Sequence, residues 1–320
     1  MNANNFQRIG IAGAGIMGAS IAQCFANAGY SVVIYDLKDE FLNRGRTAIK
    51  QNQSSLIAEG LLTQQQADDA AKKITYTTQI DDLSDASLVI EAIIEKLDIK
   101  QQFWQKLSRI VSPDAILATN TSGLSVTAIG QNVLYQGRFA GMHWWNPPHI
   151  VPLVEVIMAK YTSEDTANSL MEISKQLGKI PILVKKDAHG FVGNRLQFAV
   201  FREALNIVEQ GIATVEDVDK ALKFGPGLRY SVLGALETAD LGGLDTFYYI
   251  SSYLFADLSQ ASKPPEFLKK LVDENNFGVK TGKGFYDYAD GKDVEVIRRR
   301  DVMFLQLLKM LTQQGILPSK

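Results

Sequence analysis

The chain has 320 residues, 46% apolar and 21% charged, which excludes a disordered polymer and leaves length for about two domains. Its 33 basic and 35 acidic residues give a formal charge of −2, so no global basic excess points to nucleic acid or an anionic membrane. One cysteine, Cys24, excludes an intrachain disulfide, and no apolar run approaches the ~18 residues of a membrane span. Taken in chain order, the first residues, Met-Asn-Ala-Asn-Asn-Phe-Gln-Arg, lack a charged start followed by an apolar segment. The expectation is a soluble cytoplasmic protein.

Arg8–Gly13 reads as a strand, Met17–Ala28 as a helix and Ser31–Asp36 as a second strand. The polar region 38–73 reads as helical, with Thr63 and Gln66 spaced as a capping box. Strands recur at 74–78, 88–93 and 115–119, with a helix near 97–111. Strand, helix and strand in repetition imply parallel pairing through crossover helices. Phe139–Trp144 and Leu153–Met158 are further strands, separated by Asn146-Pro147-Pro148, where two prolines forbid a helix interior. Ser163–Leu177 reads as helix and Ile180–Val184 as the last strand. Near residue 187 the pattern changes. From Gly190 the period is close to 3.6, and Phe191, Arg195, Phe198, Phe201, Leu205 and Val208 trace a long helix. Helices are expected at 215–223, 232–256 and 265–275, and an amphipathic one over 294–320.

Gly13-Ala14-Gly15-Ile16-Met17-Gly18 matches G-x-G-x-x-G where it ends a strand and opens a helix. Gly13 makes the tight turn, Gly15 lets the backbone approach a pyrophosphate, and Gly18 lets helix and strand pack closely. The helix N-terminus offers its unpaired N–H groups to the phosphates. Asp36 ends the second strand, placed to accept both ribose hydroxyls and to repel a 2′-phosphate, which favours NAD over NADP. The fold expected is α/β: a Rossmann-type, doubly wound, mostly parallel sheet over 1–187, followed by an all-helical domain over 188–320. Cys24 sits among Ala22, Phe25 and Ala26 and reads as a packing residue.

A nicotinamide enzyme that oxidises an alcohol needs a base, and the chain has only three histidines, His143, His149 and His189. His143 ends one strand and Glu155 lies in the next. If the prolines reverse the chain, the two face one another, and a carboxylate beside an imidazole holds its tautomer and supports its protonated form. On spacing alone, a buried structural histidine fits as well.

The blocks Asn120-Thr121-Ser122, Phe139-Ala140-Gly141-Met142-His143-Trp144-Trp145-Asn146-Pro147, Leu153-Val154-Glu155-Val156, Gly190-Phe191-Val192-Gly193-Asn194-Arg195 and Lys280-Thr281-Gly282-Lys283-Gly284-Phe285-Tyr286 together resemble the 3-hydroxyacyl-CoA dehydrogenase family over residues 7 to about 288. The resemblance implies that His143 is the acid/base, Glu155 its partner, and Ser122 and Asn194 contacts to the substrate. It implies cofactor contacts from the glycine loop (Gly13, Gly15, Ile16, Met17, Gly18), Asp36, Glu95, Lys100, Asn120, Ser122, Asn146 and Lys280. It further implies NAD as cofactor, a short-chain L-3-hydroxyacyl-CoA as substrate, fatty acid metabolism as the setting, and a homodimer joined through the helical domain; no metal site is expected. Without the resemblance, Ser122 and Asn194 would read as helix caps, and Glu95 with Lys100 as a solvated pair.

The chain departs from the acyl-CoA pattern. The family's CoA-contacting serine and lysine fall at Asn52 and Glu59, and an acid is a poor substitute for a lysine facing anionic CoA. Arg229, in Gly225-Pro226-Gly227-Leu228-Arg229-Tyr230, stands where a small or apolar residue is usual. Together with Asn146-Pro147-Pro148, Asn194-Arg195-Leu196-Gln197 and the basic C-terminal helix, this stretch also resembles L-gulonate 3-dehydrogenase (lambda-crystallin), whose substrates are free hydroxy acids. Arg229 then reads either as a clamp on a free substrate carboxylate, or as a salt bridge to an acid such as Glu237 or a dimer contact. Three functions stay open: an acyl-CoA dehydrogenase, a free hydroxy-acid dehydrogenase, and a non-catalytic NAD-binding protein.

Overall fold

The structure is a computed structural model and describes residues 6–317. The reading of the first residues, and the last three residues of the segment 294–320, lie outside this range. The strands are β1 (Arg8–Ala12), β2 (Ser31–Tyr35), β3 (Ile74–Thr77), β4 (Leu88–Glu91), β5 (Ile116–Thr119), β6 (Phe139–Trp144), β7 (Leu153–Ile157) and β8 (Ile180–Val184). They form an 8-stranded sheet in the order β3-β2-β1-β4-β5-β6-β7-β8. All pairs are parallel except β6 with β7, which is antiparallel. The chain leaves β1 toward β2 and later returns to place β4 on its other side. The carboxyl ends of β1 and β4 therefore part at a switch point, where open α/β sheets bind ligands.

The helices of this sheet region are α1 (Ile16–Asn27), α2 (Asp39–Ala58), α3 (Gln64–Lys72), α4 (Leu97–Leu107), α5 (Val126–Ile129) and α6 (Glu164–Gln176). The Thr63–Gln66 capping box forms as expected and separates α2 from α3. Successive strand residues point to opposite faces. Ile9, Ile11 and Ile34 pack with Phe25 and Leu170, whereas Val33, Val89 and Leu117 pack with Trp104 and Phe139. Helices thus cover both faces, which suits the near-continuous apolar runs of these parallel strands.

The chain divides into two compact units, the first running to Asn194 and including Phe304–Gln306, the second comprising Arg195–Met303 and Leu307–Ile316. The first unit extends past the change of pattern at 187 because the backbone of residues 192 and 193 is bonded to β7. The remaining helices are α7 (Gly193–Glu209), α8 (Val215–Phe224), α9 (Pro226–Tyr230), α10 (Ala235–Gly242), α11 (Leu244–Asp257), α12 (Glu266–Asp273) and α13 (Lys292–Gln313). The single helix expected over 232–256 is two, α10 and α11, because Gly243 between them takes φ 89° and interrupts the helical path. None of α8 to α12 has a buried residue. Leu236, Leu241, Leu244, Tyr248, Tyr249 and Tyr253 are each more than half exposed. No helix among the described residues is long and apolar enough to cross a membrane.

Candidate active site

The glycine loop lies between β1 and α1. Gly13 adopts φ 103°, and a Cβ there would lie 2.6 Å from the Ala92 carbonyl oxygen at the end of β4. A Cβ at Gly18 would lie 1.9 Å from the Gly13 carbonyl oxygen, so only glycine lets α1 seat against the loop. Gly15 is different, with nothing within 4 Å of its Cβ position. It is also the N-cap of α1 and supplies no side-chain cap, and the first turn carries no acid. Open space beside helix N–H groups is what a dinucleotide pyrophosphate requires. Asp36 closes the loop from β2, its Oδ2 accepting from Ala14 N at 2.7 Å.

The antiparallel turn between β6 and β7 sets His143 directly opposite Glu155. His143 Nδ1 lies 2.8 Å from Glu155 Oε2. With Nδ1–H donating to the carboxylate, Nε2 is the basic nitrogen. Glu155 is fully buried. Trp145 Nε1 also donates to Oε2 at 3.3 Å, and Val192 N and Gly193 N donate to Oε1 at 3.0 Å each. Burial pushes the Glu155 carboxyl up. Donation from His143, Gly193 and Val192, with the charge of a protonated His143, outweighs that and leaves it below the ordinary carboxylate range. Phe191 packs its ring 5.6 Å from that of His143, and Trp145 lies at 5.8 Å on centroids. A Cβ at Gly193 would sit 2.3 Å from the Trp145 ring, so a glycine is required where α7 begins.

Ser122 and Asn194 come together, Asn194 Nδ2 donating to the Ser122 carbonyl at 2.9 Å. Glu95 accepts from Ser122 N at 3.0 Å and from Thr121 Oγ1. The Asn120 side chain turns inward and accepts from Trp144 N at 2.8 Å, bracing β5 to β6. Lys100 is no solvated residue: it is 1% exposed and its ammonium meets Glu91, and Glu95 at 3.2 Å. Asn146 is exposed and begins the cis Asn146–Pro147 peptide. Lys280 and Arg229 belong to the second unit, Arg229 on α9. Glu237 caps its own helix by accepting from Gly234 N at 2.6 Å, and Arg229 makes no ion pair among the described residues. Asn52 donates to Ser20 Oγ at 3.1 Å, and Ser20 Oγ lies 2.8 Å from His149 Nδ1, so the Asn52 amide is engaged within the first unit. Sequence reasoning missed Glu91, whose only signal is a carboxylate ending an apolar strand. It also missed the indole of Trp145 and the Val192 and Gly193 amides.

Comparison with known proteins gives a consistent result. A family model described as 3-hydroxyacyl-CoA dehydrogenase, NAD binding domain, matches residues 8–188. One described as 3-hydroxyacyl-CoA dehydrogenase, C-terminal domain, matches residues 190–288. A probable 3-hydroxybutyryl-CoA dehydrogenase of Deinococcus radiodurans is 38% identical over 282 residues, 88% of this chain and 100% of the relative. A 5-formyl-3-hydroxy-2-methylpyridine 4-carboxylate 5-dehydrogenase of Mesorhizobium japonicum is 34% identical over 284 residues, 88% of this chain and 91% of the relative. A solved structure of an enzyme of that latter activity, described as an NAD+ dependent dismutase, superposes with a TM-score of 0.89 and 32% identity, over 96% of this chain and 98% of its own.

Proposed function

This chain belongs to the 3-hydroxyacyl-CoA dehydrogenase family, and from that premise we propose that it oxidises the 3-hydroxyl of a short-chain L-3-hydroxyacyl-CoA to the ketone, reversibly, with His143 as acid/base. It is an oxidoreductase and NAD is its cofactor. The observation that carries the proposal is the buried Glu155 carboxylate holding Nδ1 of His143. The glycine loop and Asp36 would hold NAD, which would supply the hydride acceptor for the carbinol carbon. His143 Nε2 takes the hydroxyl proton as the carbonyl forms. Glu155 keeps the ring oriented and offsets the charge that the imidazole gains. Ser122 and Asn194 position the reacting oxygen. In the reverse direction His143 returns the proton. The test is NADH formation by the purified protein on 3-hydroxybutyryl-CoA and on free 3-hydroxy acids. Turnover of neither leaves NAD binding alone.

A second reading is favoured by the Asn52 amide being engaged with Ser20, by the acid at Glu59, and by the likeness over 96% of the chain to an enzyme named for a free carboxylate. Under it the substrate is a free hydroxy acid, and Arg229 binds its carboxylate through the guanidinium fork. Arg229→Met then abolishes activity on the free acid, and wild type is poor on 3-hydroxybutyryl-CoA. Efficient turnover of the CoA ester with none of the free acid removes this reading.

Asp36 sets the cofactor choice. Asp36→Ala is expected to weaken NAD binding and relax the bias against NADP, measured as kcat/KM with each cofactor. Equal wild-type efficiency with both would contradict the assignment. For the helical domain we propose a second copy of the chain as the partner that covers α10 and α11, since large apolar side chains left exposed along two successive helices mark an interface. Light scattering on the eluting protein should give twice the 35.3 kDa chain mass; a monomer at micromolar concentration rejects it.

A further inference from the structure

Glu91 ends β4 with 0% exposure, beneath the loops that carry Ser122 and the glycines. Its Oε2 accepts from Thr119 Oγ1 at 2.9 Å and Trp104 Nε1 at 3.2 Å, and its Oε1 from Ile93 N at 3.0 Å and from Lys100. Lys100 in turn reaches Glu95 Oε2 at 3.2 Å, and Glu95 Oε1 accepts from Thr121 Oγ1 and Ser122 N. The contacts run without a break from a buried carboxylate through a buried ammonium to a half-exposed carboxylate at the loop. Two carboxylates share one ammonium, and the Glu91 carbonyl also accepts from Asn120 N at 2.8 Å. An ion pair this deep is weak evidence of stabilisation, because desolvation cancels much of its attraction. A role in holding geometry accounts better for its place at the sheet's carboxyl edge.

We propose that Glu91 and Lys100 are positioning residues for the cofactor site: Glu91 anchors Lys100, and Lys100 holds the Glu95 carboxylate on Thr121 and Ser122, fixing the loop against which the dinucleotide lies. Lys100 then acts from beneath, through Glu95. The proposal rests on dinucleotide binding in this unit and is independent of the substrate.

The test is a double-mutant cycle read by NADH binding, using energy transfer from the protein's tryptophans, so no substrate is needed. Glu91→Gln is expected to weaken NADH binding about ten-fold, and Ser122→Ala, costly in wild type, should cost little more in that background. Thr119→Val removes one donor to Glu91 and leaves every charge in place. It serves if Glu91→Gln does not fold, and should show the same coupling at about two- to three-fold. If these variants lower the melting temperature while NADH affinity is unchanged, or if the Ser122→Ala effect simply multiplies, the residues are structural only and the proposal is overturned. If wild type binds NADH but turns over neither an acyl-CoA nor a hydroxy acid, the proposed function fails while this result stands.

Discussion

His143→Gln should lower turnover by roughly 10²–10⁴-fold and leave NADH affinity within about two-fold of wild type. Glutamine keeps a hydrogen bond to Glu155 but has no basic nitrogen to take the hydroxyl proton. The ring packs beside Trp145 and Phe191 and is hydrogen-bonded through Nδ1, so the loss falls on proton transfer while the glycine loop is untouched. The measurements are single-turnover NADH formation and NADH binding on the same preparation. Near wild-type turnover, with chemistry shown to be rate-limiting, would mean that another group is the base.

Glu155→Gln is expected to reduce both turnover and stability. The carboxylate accepts from His143 and Trp145 on one oxygen and from Val192 and Gly193 on the other. An amide offers one acceptor atom and turns N–H groups toward existing donors, so at least one buried pair is broken. Breaking bonds to a buried charge costs about 3 kcal/mol, and losing the charge behind an imidazolium should slow turnover by about 10²-fold. The pH dependence follows from the lowered Glu155 pKa. A carboxylate whose folded pKa is depressed contributes stability above the unfolded value, near about 4.3, and loses it as pH falls through the folded value. The difference in melting temperature between wild type and Glu155→Gln should be full at pH 7 and shrink below about pH 4. A constant difference across that range would show that the ionised carboxylate is not what stabilises the site.

The local elements were legible because their periods are strong. The strands from Arg8 to Val184 and the Thr63 cap are written in short apolar, β-branched runs and short-range hydrogen bonding, which need no distant partner. The break at Gly243 was not legible: Leu236 and Leu241 before it and Leu244, Tyr248 and Ile250 after it continue an apolar pattern, and a glycine inside a helix is tolerated until its φ is known. The glycine loop was readable because Gly13 and Gly18 answer a steric demand of adjacent backbone, while Gly15 leaves the space beside the helix N-terminus open. The side-chain partners of Asn120 and Lys100 were not legible either. Their residue types suit ligand contact, whereas their side chains are engaged on Trp144 N and on Glu91 and Glu95.

By itself the sequence determined the order of the strands and of most helices, the glycine loop with an acid after the second strand, and the pairing of His143 with Glu155 as one option among two. Tertiary structure alone decided which groups meet. It put His143 opposite Glu155 through an antiparallel register, brought the amides of 192 and 193 onto that carboxylate, and buried Glu91 beneath the Ser122 loop. The reason is range. Periodicity and capping act over a few residues, whereas these contacts join residues 12 to 38 apart, and several loops must be closed before any of them exists.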